Sequence, residues 1–173
     1  MPFIQNCAAS DIASGTFYKD PGPNSMLIQI SDPAGWVPDP KHLFAEVHQF
    51  EFLDIEKDDH VFDEAFRCTQ KQASDLVRLL QHALELDMNV TVHCFAGICR
   101  SGAVAEVGVM MGFEDTGRYR QPNLLVKHQM MKELGMTYDP DEESEPVNLL
   151  PPNVTEDTLK VYLGYLTLPG SST

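Results

Sequence analysis

Basic residues are scarce in this chain. Twelve lysines and arginines stand against 26 aspartates and glutamates, a formal net charge of −14 with histidine neutral. Such a surface repels nucleic acid and anionic membranes, and no Lys/Arg-rich run offers a local exception. Long hydrophobic runs are missing too, since no stretch approaches the roughly 18 apolar residues of a membrane span. Met1-Pro2-Phe3-Ile4-Gln5-Asn6 lacks the basic-then-apolar pattern of a signal peptide. Cysteine is limited to Cys7, Cys68, Cys94 and Cys99, too few for a disulfide scaffold and without paired metal spacing. Asp58-Asp59-His60 has the chemistry of a ligand pair, but no third or fourth ligand accompanies it. The expectation is therefore no metal, no cofactor, no nucleic-acid partner and no membrane partner. Nothing in the sequence sets the oligomeric state.

The chain's 173 residues suffice for one domain around one core, with no repeat and no internal boundary. A short apolar piece, Phe3-Ile4, opens it and turns polar. Ala8–Ser14 reads as a short helix stopped by Gly15. Met26–Ile30 reads as a buried strand, ended by Ser31-Asp32-Pro33 and followed by a proline-rich loop carrying Trp36, expected to pack as a satellite of the core. A short helix is expected at His42–Glu46. Val47–Ile55 is expected to be a strand sandwiched between layers, because both its faces carry apolar side chains. Thr69–Leu86 is the best helix, with Ala73, Leu76, Val77, Leu79, Leu80, Ala83 and Leu84 on a stripe near period 3.6. Strand Val90–Val92 follows, then a nearly all-apolar helix, Ala103–Met111, ended by Gly112. A charged connection over 114–121 leads to Pro122, expected in the first turn of a helix over Asn123–Leu134 closed by Gly135. Residues 136–153 form an acidic, proline-containing excursion, and Thr155 is placed to cap a last helix over Glu156–Leu166. Alternating strands and helices predict an α/β fold, with a central, mostly parallel sheet of about four to five strands flanked by helices.

The most informative stretch is Val90-Thr91-Val92-His93-Cys94-Phe95-Ala96-Gly97-Ile98-Cys99-Arg100-Ser101-Gly102. A strand runs into a cysteine, an arginine and a serine follow, and a helix begins. Backbone N–H groups of such a loop can make a nest for phosphate oxygens, and the helix dipole favours the thiolate of Cys94. Arg100 brings a planar fork able to grip two phosphoryl oxygens at once. Gly97 allows a backbone conformation open to few other residues. Phe95, Ala96, Gly97, Ile98, Cys99 and Arg100 are thus the candidate phosphate-binding residues.

His93-Cys94, five residues, Arg100 and Ser101 match His-Cys-x5-Arg-Ser/Thr at every fixed position. The stretch resembles the phosphate-binding loop of the cysteine-dependent protein tyrosine phosphatases, of the compact dual-specificity type found in bacteria and phages. The resemblance is strongest over residues 50–113. It implies Cys94 as nucleophile, His93 as the residue that orients the loop, and Ser101 as a donor to the departing sulfur. It also implies a general acid, an aspartate on a loop that follows a strand and precedes the cysteine. Asp54, Asp58, Asp59 and Asp63 are candidates, with Asp54 preferred for closing its strand and Asp59 second. The substrate implied is a phosphorylated protein, and the compartment the reducing cytosol. Two alternatives stay open. One is a phosphate-binding module without turnover. The other is the low-molecular-weight tyrosine phosphatase type, suggested by Cys94-x4-Cys99-Arg100-Ser101, with Asp139-Pro140 as the acid. In that type the second cysteine forms a reversible disulfide with the first. A small loop-packing residue is the plain alternative for Cys99.

Overall fold

The computed structural model describes residues 1–56 and 66–136. Asp58, Asp59, His60, Asp63, the acidic excursion beyond residue 136, Asp139-Pro140 and the expected last helix lie outside the described residues.

Among the described residues five strands make one sheet: β1 (Phe3–Ala8), β2 (Ser25–Ser31), β3 (Glu46–Glu51), β4 (Asn89–Cys94) and β5 (Glu114–Asp115). Their order is β3-β2-β4-β1-β5, and every pairing is parallel. Among the described residues four helices accompany them: α1 (Ala9–Ser14), α2 (Gln70–Glu85), α3 (Arg100–Met111) and α4 (Leu124–Glu133). The predicted α/β class and parallel sheet are what the chain forms.

The two faces of the sheet differ in chemistry. One carries Ile4, Met26, Ile28, Ile30, Val90 and Val92 into a continuous core with side chains of α2, α3 and α4. The other carries Gln5, Gln29, Thr91 and His93, all buried, beside the small cluster of Cys7, Ile12, Leu27 and Phe44. Buried amides persist only when bonded. Gln5 Nε2 donates to Thr91 Oγ1 at 3.1 Å and to the Lys19 carbonyl at 2.8 Å, and Gln29 Nε2 donates to the Pro38 carbonyl at 2.9 Å.

Local rules account for the helix ends. Thr69 caps α2 by accepting from the Gln72 amide at 3.1 Å, while Gln72 Oε1 accepts from the Thr69 amide at 2.9 Å. Asn123 caps α4, and Gly15 closes α1 in the left-handed conformation.

Several expectations fail for tertiary reasons. No helix forms at His42–Glu46. Instead His42 Nε2 meets the Gly22 carbonyl at 3.0 Å, its ring packs edge-on against Phe17 and Phe44, and Ala45 N donates to Ser25 O. β3 ends at Glu51 rather than Ile55 and is an edge strand, alternating half-buried and exposed residues with Val47 43% exposed. Trp36 is 60% exposed and belongs to no core, because the turn closed by Gly35 N on Asp32 O holds it at the surface. Pro122 precedes the cap of α4 rather than entering its first turn. The polar start of the chain and part of the charged 114–121 connection proved to be strands β1 and β5.

Candidate active site

β4 is the central strand, and its last residue is Cys94. Ligand sites of parallel sheets lie beyond such carboxyl ends. Phe95 to Cys99 then bend, and α3 starts at Arg100. The sulfur of Cys94, 3% exposed, lies 3.2 Å from Ser101 Oγ. The Cys94 thiol and the Ser101 hydroxyl are therefore in contact at the N-terminus of a 12-residue helix.

The loop is clamped against β1. Gly97 has φ +74°, and a Cβ there would fall 2.2 Å from the Cys7 carbonyl carbon and 2.4 Å from the Ala8 nitrogen. Asn6 Nδ2 donates to the Gly97 carbonyl at 2.7 Å and to the Tyr119 carbonyl at 3.0 Å, and Ala9 N donates to the Phe95 carbonyl at 3.2 Å. From the opposite side, Gln121 N donates to Ile98 O at 3.2 Å and Asn123 N to Cys99 O at 3.0 Å. Phe95 itself projects outward, 74% exposed.

Arg100 is 5% exposed. One nitrogen, Nη1, donates to the Asp32 carboxylate at 2.6 Å and to the Phe52 carbonyl at 2.8 Å. Its Nε is buried without a hydrogen-bond partner. His93 is buried beneath the loop, its Nδ1 3.4 Å from the Cys94 carbonyl. Burial pushes its pKa down to about 4, with the Arg100 charge adding to the effect. The ring is therefore neutral at pH 7.

Asp54 sits in the segment after β3. Its Oδ1 accepts from Asn123 Nδ2 at 2.7 Å. It shares an open pocket with Glu56, Cys99 and Gln121. The Cys99 thiol is pushed up to about 11, first by burial and then by the charge and hydrogen bond of Asp54. Cys7 and Cys68 are raised to about 12, chiefly by burial. All four cysteines are unpaired. Among the described residues no group of three or more His, Cys, Asp or Glu is arranged to hold a metal ion.

Cys94, Arg100, Ser101, His93, Gly97, Cys99 and Asp54 thus converge on one end of the sheet, while Asp59 lies outside the described residues. Three contributors escaped the reading of the sequence: Asn6, Asp32 and Asn123. Asp32 left a signal, since Ser31-Asp32-Pro33 ends the strand next to β4. Asn123 was legible as a helix start only, and Asn6 left no signal.

A structural likeness fits this arrangement. A human tyrosine phosphatase-like serine/threonine/tyrosine-interacting protein superposes with a TM-score of 0.54, at 17% identity, over 78% of this chain and 93% of its own. The chain has the protein tyrosine phosphatase-like fold. OH1 from the Orf virus, described as a tyrosine phosphatase with triple substrate specificity, is similar at a TM-score of 0.45 and 15% identity, over 76% of this chain and 82% of its own. No protein-family model matches the sequence, and no curated protein matches it either. Within this phosphatase-like fold the loop from Cys94 to Ser101 occupies the carboxyl end of the central strand.

Proposed function

We propose that the protein is a metal-free phosphomonoester hydrolase acting on phosphoprotein, with Cys94 as nucleophile. The observation that carries this reading is the buried Arg100, whose Nε has no hydrogen-bond partner, in the same loop in which Cys94 Sγ meets Ser101 Oγ. A buried donor left unbonded costs roughly 1–3 kcal/mol, and a phosphoryl oxygen supplies the missing acceptor. In the first step the Cys94 thiolate attacks phosphorus, and the P–O ester bond breaks as the P–S bond forms. Asp54 gives its proton to the departing oxygen. Arg100 and the backbone amides of residues 95–100 take the charge on the equatorial oxygens. In the second step water attacks the cysteinyl phosphate, Asp54 accepts a proton from it, and the P–S bond breaks. Ser101 then donates to the sulfur as it leaves. A thiolate nucleophile and four unpaired cysteines fit a reducing compartment, and we assign the protein to the cytoplasm.

Purified protein should hydrolyse p-nitrophenyl phosphate. Cys94→Ser should abolish turnover and keep binding of a phosphotyrosine peptide, measured by calorimetry. Full activity in Cys94→Ser would overturn the reading.

One observation favours a second reading, a phosphate-binding interaction module without turnover. The Asp32 carboxylate already engages Arg100 Nη1 at 2.6 Å and sets a negative charge beside the place of a dianion. Wild-type protein that binds the peptide yet stays inert from mildly acidic to neutral pH would select this reading over the first.

A further inference from the structure

The N-terminus of α4 is occupied by the segment that carries Asp54. Asn123 Nδ2 donates to Asp54 Oδ1 at 2.7 Å and to the Ile55 carbonyl at 3.3 Å. Leu124 N donates to Glu56 Oε1 at 3.2 Å. Asn123 has no exposure, and every other polar atom of it is committed. Its Oδ1 accepts from Val126 N at 3.0 Å, its backbone N donates to Cys99 O at 3.0 Å, and its carbonyl accepts from Lys127 N at 3.1 Å. One residue therefore ties the acid segment, the phosphate loop and a helix end together. A capping asparagine needs only its Oδ1 for the cap. The amide nitrogen is surplus to that task and points at Asp54.

We infer that Asn123 is the positioning residue for the proton donor, fixing Asp54 against the end of the phosphate loop and reserving Asp54 Oδ2 for the proton. The assignment of the second oxygen follows from the donor. An amide N–H bonds best to the oxygen that carries no proton, so the acidic hydrogen belongs on the other. The inference rests on the hydrolase reading, and it goes further in assigning the geometry of the acid to a residue on a different element. The side-chain bonds of Asn123 go to Asp54, the Ile55 carbonyl and the Val126 amide, and its backbone bond to Cys99 O survives substitution of the side chain, so the effect of the amide passes through Asp54.

The test uses two esters with the full chain. Phenyl phosphate leaves as a phenolate whose pKa is near 10, like that of tyrosine, and needs a proton. p-Nitrophenyl phosphate leaves as a far weaker base and needs it little. Asn123→Asp keeps the cap through its carboxylate and removes the donor, and Asn123→Ser keeps a shorter cap with no reach to Asp54. Both should lower kcat on phenyl phosphate about ten- to a hundredfold while changing kcat on p-nitrophenyl phosphate about threefold or less. Asp54→Asn should show the same contrast, and adding Asn123→Asp to it should cost little more, since the two act through one proton. Equal losses on both esters in an active protein would overturn the positioning role and leave the hydrolase reading standing. So would the contrast appearing in Asp54→Asn but in neither Asn123 variant. A wild type inert on both esters would overturn the hydrolase reading, and the positioning role with it.

Discussion

Replacing Gly97 by alanine adds a single methyl group and should disable the site. Two costs add at this position. The first is conformational: φ is +74°, and an L-residue in the left-handed region costs about 1–2 kcal/mol. The second is steric. The added Cβ would sit 2.2 Å from the Cys7 carbonyl carbon and 2.4 Å from both the Cys7 oxygen and the Ala8 nitrogen. Ordinary carbon–carbon contact is about 3.5–4.0 Å, so the loop or β1 must retreat by at least roughly 1 Å. These neighbours are backbone of a strand paired along its length with β4, and it cannot rotate away as a side chain would. Overpacking of this kind costs about 1–3 kcal/mol, giving a total near 2–5 kcal/mol. For a chain of this size that lowers Tm by about 5–15 °C. A displacement of about 1 Å at the loop also removes roughly two orders of magnitude of rate.

Gly22 and Gly117 supply the controls. Their φ values are +72° and +69°, and nothing lies within 4 Å of a Cβ at either. Gly22→Ala and Gly117→Ala carry the conformational cost alone and should keep kcat/KM. Differential scanning calorimetry and p-nitrophenyl phosphate kinetics on the three variants separate the two costs. Gly97→Ala indistinguishable from Gly22→Ala in both Tm and kcat/KM would refute the argument that the loop is held by contact with β1.

Two further predictions concern titration and thiol reactivity. His93 has its pKa lowered to about 4 in the fold. The unfolded chain therefore binds a proton near pH 6.5 that the native state refuses, and this histidine's contribution to stability is full above pH 6.5 and lost as pH falls towards 4. The loss follows a slope of up to about 1.4 kcal/mol per pH unit, and His93→Asn should flatten it in urea melts repeated across that window. Cys99, held as a thiol by burial and Asp54, should react slowly with iodoacetamide in a Cys94→Ser background, and Asp54→Asn should speed it a few-fold. Labelling of Cys99 as fast as free cysteine in that background, with Asp54 intact, would contradict the contact with Asp54.

Much of this architecture was legible because sequence and environment agreed. Thr69 to Leu86 carries a cap, a capping box and a period-3.6 stripe, and α2 occupies that span almost to the residue. The fixed positions around Cys94 fall at the carboxyl end of the central strand, with Ser101 in contact with the sulfur. β1 was illegible because only Phe3-Ile4 is apolar before the chain turns polar, too short a run to mark a strand. Gln5 and Asn6 are buried, and their amide nitrogens donate to partners 14 to 113 residues away, which no local pattern encodes. β3 misled in the opposite direction, since its apolar residues on two faces suggested burial while its place at the sheet edge leaves Val47 exposed. Asp32 and Asn123 share the reason that hid Asn6. Each looked like the punctuation of an element, the end of a strand or the start of a helix. Only the assembled sheet brings Asp32 to Arg100 and Asn123 to Asp54.

The order of strands has a consequence for how the chain is made. β1 and β2 are successive in synthesis, yet they never pair with each other, because β4 inserts between them. The bridge from Phe3 to Asn89 spans 86 residues. A nascent chain that has not reached β4 therefore carries two unpaired parallel edges with their buried-face side chains uncovered. Such edges invite association with other chains until the missing strand arrives. The strand that joins β1 to β2 is also the one that ends in Cys94. β5 and the bonds from Gln121 and Asn123 to the loop come later still, so the loop at Cys94 is assembled only after β4 has joined the two halves of the sheet and the chain beyond it has docked.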